Sequence, residues 1–221
     1  MVYRILLPLL GCILIAWGAL RRDWLVGAAW LGVDFLALGI AHALGAHRLL
    51  GKRSDGTISI WGWLLFLPLL VYTSLVWHLA RLVVREPAVN AVSDDLILGR
   101  RLLPSEVPGD FDNIVDLTAE FAEPAAIRRS PGYLCIPILD GSAPTPDVLR
   151  AAVGSLKPGR TFVHCAQGHG RTGLFALALL LNRGAAASVE DGLRTLQAIR
   201  PGIRLNRAQM DCVRQFAAGL A

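Results

Sequence analysis

The feature that most constrains the fold is the stretch from Thr161 to Gly173, where a short apolar run ends in a cysteine and a glycine-rich loop leads to an arginine. Residues 161–163 are the β-branched and aromatic types favoured in a buried strand, and Leu174–Leu181 is rich in Ala and Leu, as expected of a helix. Strand, tight loop and helix N-terminus therefore follow one another. Glycines let successive backbone N–H groups point inward, and the helix dipole adds partial positive charge, so this loop is predicted to bind an anion.

Two side chains of this loop point to phosphate chemistry. Arg171 carries a planar guanidinium that can bind two phosphate oxygens at once. Cys165 is predicted to lie at the floor of the loop, where N–H groups, helix dipole and arginine all favour the thiolate over the thiol. A thiolate beneath a bound phosphate is a nucleophile directed at phosphorus.

Three other interpretations use part of the same loop. Gly168-x-Gly170-x-x-Gly173 fits a dinucleotide fingerprint, but that site needs a following strand that ends in an acid, and residues 188–193 begin a helical pattern instead. A rhodanese-type sulfurtransferase also uses a cysteine in a basic loop, yet has no need of an arginine followed by Thr-Gly. A cysteine that only packs in the core would not require the flanking Gly, His and Arg.

His164-Cys165-x5-Arg171-Thr172-Gly173 resembles the signature of the cysteine-based protein tyrosine phosphatases, and most of all that of the dual-specificity branch, over roughly residues 94–216. The resemblance implies that Cys165 is the nucleophile and Arg171 the phosphate clamp. It also implies that His164 orients and acidifies the cysteine, and that Thr172 donates a hydrogen bond to the thiolate when it leaves. The implied substrate-binding residues are Ala166, Gln167, Gly168, His169 and Gly170. Phosphoinositide-directed relatives carry lysines at the rim of this pocket, whereas Ala166 and Gln167 are neutral. A highly charged inositol phosphate is therefore a less favoured substrate.

A general acid is predicted at Asp140. Breaking a phosphate ester requires a proton on the leaving oxygen, and a carboxyl on a mobile loop can supply it. Tyr-Leu-x-Ile-Pro-Ile-x-Asp at residues 133–140 resembles the family's general-acid segment. The alternative is an Asp-Gly turn residue with a structural role.

Apolar runs predict four strands, at Leu96–Gly99, Ile114–Leu117, Tyr133–Ile138 and Arg160–His164. Helical patterns between them indicate an α/β fold with a central, mostly parallel sheet flanked by helices. Residues 86–93 are interpreted as a linker, and Glu120 and Glu123 as surface residues. Asn206 and Gln209 form a capping-box pattern at the start of the last helix, although Gln209 could instead position a water molecule.

The first 85 residues have a different character. The chain has a mean hydropathy of +0.49 and is 54% hydrophobic, too apolar for an ordinary soluble domain, and the excess lies before residue 86. Three apolar stretches, at about residues 2–20, 24–46 and 61–80, predict two or three transmembrane helices. We therefore expect a membrane region at 1–85 and a catalytic domain at 86–221. Asp34 and His42 lie in the second stretch. They are interpreted as a polar contact to a lipid head group or to another span; the alternatives are a helix–helix hydrogen bond, or a segment that lies in the membrane interface instead of crossing.

Cysteine spacing and net charge limit the cofactors, partners and substrates that are expected. The four cysteines have neither disulfide nor metal spacing, and the implied chemistry needs no metal and no cofactor. Net charge is +5, but no basic tract interleaved with aromatic residues supports nucleic-acid binding. A free catalytic thiolate favours a reducing compartment, so the catalytic domain of this predicted multi-pass membrane protein is expected on the cytoplasmic side. The predicted substrates are phosphotyrosine or phosphoserine proteins, the alternatives being a phospholipid monoester and a catalytically silent phosphate-binding scaffold. The oligomeric state stays open.

Overall fold

The computed structural model describes residues 3–21, 26–107, 109 and 111–220. The chain forms two compact units. The first unit contains the described residues up to Arg53, with Thr57–Arg85 and Ala119–Ala122. The second contains Ser54–Gly56 and the described residues among Glu86–Thr118 and Glu123–Ala221. Val2 and Trp24, at the starts of two predicted spans, lie outside the described residues.

The first unit is helical: α1 (Tyr3–Arg21), α2 (Val26–Leu44), α3 (Ile60–Leu65) and α4 (Leu67–Val83). Glycines let α1 and α2 approach to backbone contact. A Cβ atom on Gly11 would lie 2.6 Å from the Gly32 carbonyl oxygen, and one on Gly32 would lie 2.7 Å from the Gly11 oxygen. Such close packing through small residues is characteristic of helices in lipid, where apolar burial no longer drives association.

Large apolar side chains remain exposed along this unit. Among the described residues, every exposed large apolar side chain except Val148 and Leu220 lies between Ile5 and Val84. Contiguous apolar surface of this extent is unusual on a water-soluble domain. One described helix, α2, has a segment long and apolar enough to span a membrane, Gly27–Leu44, with a mean hydropathy of 1.5. The other predicted spans correspond to shorter apolar helices, so the expected number of two or three spans is not confirmed.

The third apolar stretch differs from its prediction because it is broken at Phe66 between α3 and α4. Pro68 lies in the first turn of α4, where its missing N–H costs nothing, whereas in a continuous helix it would remove a hydrogen bond and clash with the preceding turn. The new N-terminus is capped from α2, since Asp34 Oδ2 accepts a hydrogen bond from the Leu69 N–H at 3.0 Å. Asp34 therefore makes a helix–helix hydrogen bond, one of the interpretations given for this residue.

The second unit contains a five-stranded sheet in the order β1-β2-β5-β3-β4. The pairs β2–β5, β5–β3 and β3–β4 are parallel, and β1 is antiparallel to β2, which confirms the mostly parallel α/β sheet. The strands are β1 (Val89–Ser93), β2 (Leu96–Arg100), β3 (Asn113–Thr118), β4 (Tyr133–Ile138) and β5 (Thr161–Cys165). The helices are α5 (Ala125–Arg128), α6 (Pro146–Gly154), α7 (Gly170–Asn182), α8 (Val189–Ile199) and α9 (Arg207–Ala218). The interpretation of residues 86–93 as a linker was wrong for β1, which is an edge strand paired with β2.

The central strand β5 positions the site, and all five of its residues are buried. Because strand side chains alternate between faces, Val163 and Cys165 join the core built on α7 and α9, while Phe162 joins a smaller core with Phe111 on the other face. The next four residues, 166–169, are therefore held between a fully buried strand and a helix whose residues from Arg171 to Leu180 are all buried.

Candidate active site

The predicted anion-binding loop lies at the carboxyl end of the central strand, where open α/β sheets bind ligands. Cys165 ends β5 and is 4% exposed. Its Sγ accepts a hydrogen bond from the Gly168 N–H at 3.3 Å, and α7 begins at Gly170. The sulfur is therefore held beside a backbone N–H of the loop.

Arg171 lies in the first turn of α7 and is 2% exposed. Its Nη1 donates to the Ile138 carbonyl oxygen at 2.8 Å, at the end of β4. Its Nη2 lies 3.3 Å from Asp140 Oδ1. The structure therefore brings the cysteine, the arginine and the aspartate of the sequence prediction to one edge of the sheet.

Asp140 follows β4 on a loop, and its side chain is 68% exposed. Side chains from the start of α9 hold that loop: Asn206 Nδ2 donates to the Gly141 oxygen at 2.7 Å, and Gln209 Nε2 donates to the Ser142 oxygen at 3.2 Å. Asn206 and Gln209 also form the predicted capping box. An exposed carboxyl on an anchored loop has the access to solvent that a proton donor needs.

The other two residues with implied catalytic roles are buried. His164 is 1% exposed, and its ring stacks on Phe162 with a centroid separation of 5.2 Å. Thr172 is fully buried in the first turn of α7, and its hydroxyl makes no hydrogen bond to another described atom. Ala166, Gln167, Gly168 and His169 form the loop, with Gly168 at a positive φ of +76°.

Sequence reasoning missed a buried cluster of charged residues beside His164. Asp116 of β3 lies opposite His164 in the parallel register and is fully buried. Glu123, predicted to be a surface residue, is 3% exposed and lies 2.6 Å from Arg101 Nε. The ligand atoms of Asp116, Glu123 and His164 lie within 4.8 Å of one another, and no local pattern in the sequence signals this assembly.

Carboxylates and an imidazole so close together are the donor types that bind zinc. Asp116, however, already accepts hydrogen bonds from the Thr118 N–H at 2.9 Å and hydroxyl at 2.7 Å, and from the Tyr133 hydroxyl at 2.7 Å. Burial, together with the charge of Asp116, raises the pKa of Tyr133, which keeps its hydroxyl a donor. With Arg101 already bound to Glu123, the cluster fits a network of hydrogen bonds and ion pairs better than a metal site.

His169, one of the implied substrate-binding residues, pairs with a carboxylate. Its Nε2 lies 2.6 Å from Glu86 Oε2, and its side chain is about one third exposed. Arg200 donates to the carbonyl oxygens of Gly168 and Gln167 at 2.9 and 3.0 Å. Glu86 belonged to the predicted linker, and no local signal indicated a contact with a loop more than eighty residues later.

Comparison with known proteins places the second unit in a structural class. The sequence matches no protein-family model and no curated protein. Among solved structures, Tk-PTP in its active form shares 23% identity at a TM-score of 0.54, covering 60% of this chain and 97% of that one. PTPMT1 in complex with PI(5)P shares 14% sequence identity at a TM-score of 0.53, and the match covers 61% of this chain and 97% of that one. The human tyrosine phosphatase-like serine/threonine/tyrosine-interacting protein shares 20% sequence identity at a TM-score of 0.51, and the match covers 60% of this chain and 98% of that one.

At these identities the likeness establishes the fold. The second unit therefore has the fold of the protein tyrosine and dual-specificity phosphatases, as the resemblance of its loop implied. The matched share of this chain agrees with the share that follows Arg85, and the matched structures are covered almost completely.

Proposed function

We propose that the protein is a membrane-anchored phosphatase that hydrolyses phosphate monoesters through a cysteinyl-phosphate intermediate. The observation that carries the proposal is the convergence of Cys165, Arg171 and Asp140 at one sheet edge, with the Gly168 N–H directed at the sulfur. A nucleophile, an anion clamp and a proton donor are the three groups that the reaction needs.

Each group has one role in this chemistry. The loop N–H groups and the Arg171 guanidinium bind the phosphate oxygens and stabilise the charge that develops on them. The Cys165 thiolate attacks phosphorus in line, a sulfur–phosphorus bond forms, and the ester oxygen leaves with a proton from Asp140. The Asp140 carboxylate then takes a proton from water, which attacks phosphorus and releases inorganic phosphate and the thiolate. The hydroxyl of Thr172 would stabilise the departing thiolate, and His164 would orient the cysteine.

The first unit is proposed to anchor this chemistry at a membrane through two or three spans. The glycine contacts between α1 and α2 and the exposed apolar side chains from Ile5 to Val84 support this role. A cytoplasmic catalytic unit follows from the need of the thiolate for a reducing compartment.

The proposed substrates are phosphotyrosine or phosphoserine proteins. A phospholipid monoester is the second candidate, and a specific observation favours it: the unit attached to the catalytic unit exposes far more apolar surface than a single anchor needs. One structural neighbour, PTPMT1, was solved with PI(5)P. A multiply phosphorylated inositol lipid is a less favoured substrate, because Ala166 and Gln167 place no positive charge on the loop.

The activity is tested with the full chain in detergent, using an aryl phosphate and the Cys165→Ser variant as its matched control. We expect turnover that Cys165→Ser abolishes and that a chelator leaves unchanged. Equal turnover by Cys165→Ser would exclude the mechanism, and no turnover by the wild-type protein, with phosphate still bound, would favour the scaffold alternative. A phosphotyrosyl peptide compared with a phospholipid monoester in mixed micelles then separates the two substrate classes.

A further inference from the structure

Arg200 fastens the outer side of the 165–171 loop. It is 1% exposed, and burial lowers the pKa of its guanidinium, while the charge of Glu86 opposes that shift. Nε donates to the Gly168 oxygen, and Nη2 donates to the Gln167 oxygen. Nη1 donates to Asn90 Oδ1 at 2.6 Å and to the Pro87 oxygen at 2.9 Å, which ties the loop to the segment that enters β1.

These two carbonyl contacts set the direction of the loop N–H groups. A peptide unit is planar and trans, so its C=O and N–H point in opposite directions. Holding the Gln167 oxygen outward directs the Gly168 N–H inward, where it meets the Cys165 sulfur. Holding the Gly168 oxygen outward directs the His169 N–H toward the same concavity. The guanidinium of Arg200 therefore orients two of the amides that form the anion site.

Glu86 forms a second connection between the Arg200 guanidinium and the loop, through His169. Its Oε2 lies 2.9 Å from Arg200 Nη2 and 2.6 Å from His169 Nε2. The imidazole is confined on its other side by Gly202, where a Cβ atom would lie 2.6 Å from His169 Cδ2 and 3.0 Å from Glu86 Oε1. A larger residue at position 202 would therefore displace the ring or the carboxylate.

From this arrangement we propose that Glu86 is a positioning residue for the phosphate-binding loop. Its carboxylate binds Arg200, which holds the carbonyl oxygens of Gln167 and Gly168, and it contacts the His169 ring directly. Three of the four residues between Cys165 and α7 are therefore held by this one side chain. His169 is thereby assigned to shaping the loop, and its ring is directed at Glu86 instead of at substrate. The kinetic part of this inference rests on the proposed phosphatase activity, whereas the geometry of the anion site does not.

The test uses the full chain in detergent with Glu86→Ala and Glu86→Gln, the second of which keeps an acceptor but loses the charge. Glu190→Ala is the matched control, because Glu190 also pairs with an arginine, Arg214, but both side chains are more than half exposed. Two readouts are taken: kcat and KM on an aryl phosphate, and protection of Cys165 from alkylation by inorganic phosphate, followed by mass spectrometry of the peptide that contains it.

Displacing a binding group by about 1 Å costs on the order of a hundredfold in rate. We therefore expect Glu86→Ala to lower kcat/KM by about 10- to 100-fold and to weaken phosphate protection of Cys165 by a similar factor. Glu86→Gln should fall between Glu86→Ala and the wild type, and Glu190→Ala should stay within about twofold of the wild type. Because Glu86 and His169 act as a unit, the loss in Glu86→Ala/His169→Ala should be smaller than the product of the single losses.

Unchanged kinetics and unchanged phosphate protection in a normally folded Glu86→Ala protein would overturn the proposal. If that variant unfolds, Glu86→Gln carries the same test below its own unfolding midpoint. If the wild-type protein hydrolyses no aryl phosphate, the proposed function fails, and phosphate protection of Cys165 still decides whether Glu86 positions the loop.

Discussion

Gly168→Ala should inactivate the protein because the loop has no space for a side chain at this position. The residue has φ of +76°, a conformation that costs a residue with a Cβ roughly 1–2 kcal/mol. A Cβ atom would also lie 2.5 Å from the Gly99 carbonyl carbon and 2.7 Å from the Arg100 nitrogen, whereas ordinary contacts begin at 3.4 Å. The loop or β2 must therefore move by nearly 1 Å, a displacement that costs on the order of a hundredfold in rate.

Gly184→Ala is the matched control. Gly184 has φ of +66°, but no atom lies within 4 Å of its hypothetical Cβ. Both variants should lose about 1–2 kcal/mol of stability in urea titrations, with Gly168→Ala losing more, and only Gly168→Ala should lose kcat/KM on an aryl phosphate, by about a hundredfold. Activity of Gly168→Ala within threefold of Gly184→Ala would refute the argument that this glycine sets the loop geometry.

Four further outcomes are expected. Asp140→Asn should lower kcat about 10²- to 10⁴-fold on esters with a poor leaving group and much less on a nitrophenyl ester; equal losses on both would exclude Asp140 as the acid. Burial raises the pKa of Cys212 from 9.0 to about 11. The pKa of Cys212 in the folded state lies above that in the unfolded state, so up to roughly 3 kcal/mol of stability should be lost as the pH rises from 9 to 11. Cys212→Ala should remove that loss, and an unchanged dependence of stability on pH in this variant would contradict it. Asp34→Ala should cost roughly 1 kcal/mol by uncapping α4 at Leu69, and Asp34→Asn much less, as measured by thermal unfolding in detergent; equal costs would refute the cap. A chelator should leave activity unchanged, because hydrogen bonds and Arg101 already occupy the buried acid cluster; loss of activity restored by added zinc would contradict this.

Much of the second unit follows from local patterns. The apolar runs at 96–99, 114–117, 133–138 and 160–164 became β2 to β5 with shifts of at most one residue at either end. The capping box at Asn206 formed as predicted. These features depend on residues within a few positions of one another, so a single stretch of sequence specifies them.

The features that the sequence did not predict depend on residues that are distant along the chain. Val89–Ser93 is too short and mixed to read as a strand until β2 supplies its hydrogen-bond partner. Glu123 is buried because Arg101, which precedes it by 22 residues, neutralises its charge; an unpaired carboxylate would not be buried there. The break at Phe66 combines a local cause, Pro68, with a distant one, the Asp34 carboxylate that caps α4.

The amino-acid order alone specifies the glycine-rich turn after a buried strand, its cysteine and its arginine, since backbone conformation and reactive groups are encoded within that short stretch. Folding of the whole chain decides which charges support the turn. Glu86 and Arg200 meet Gln167, Gly168 and His169 only after the sheet and the last helices have assembled. Ion pairs between such distant positions have no periodicity to detect, because they arise from the sheet order and from the need of each buried charge for a partner.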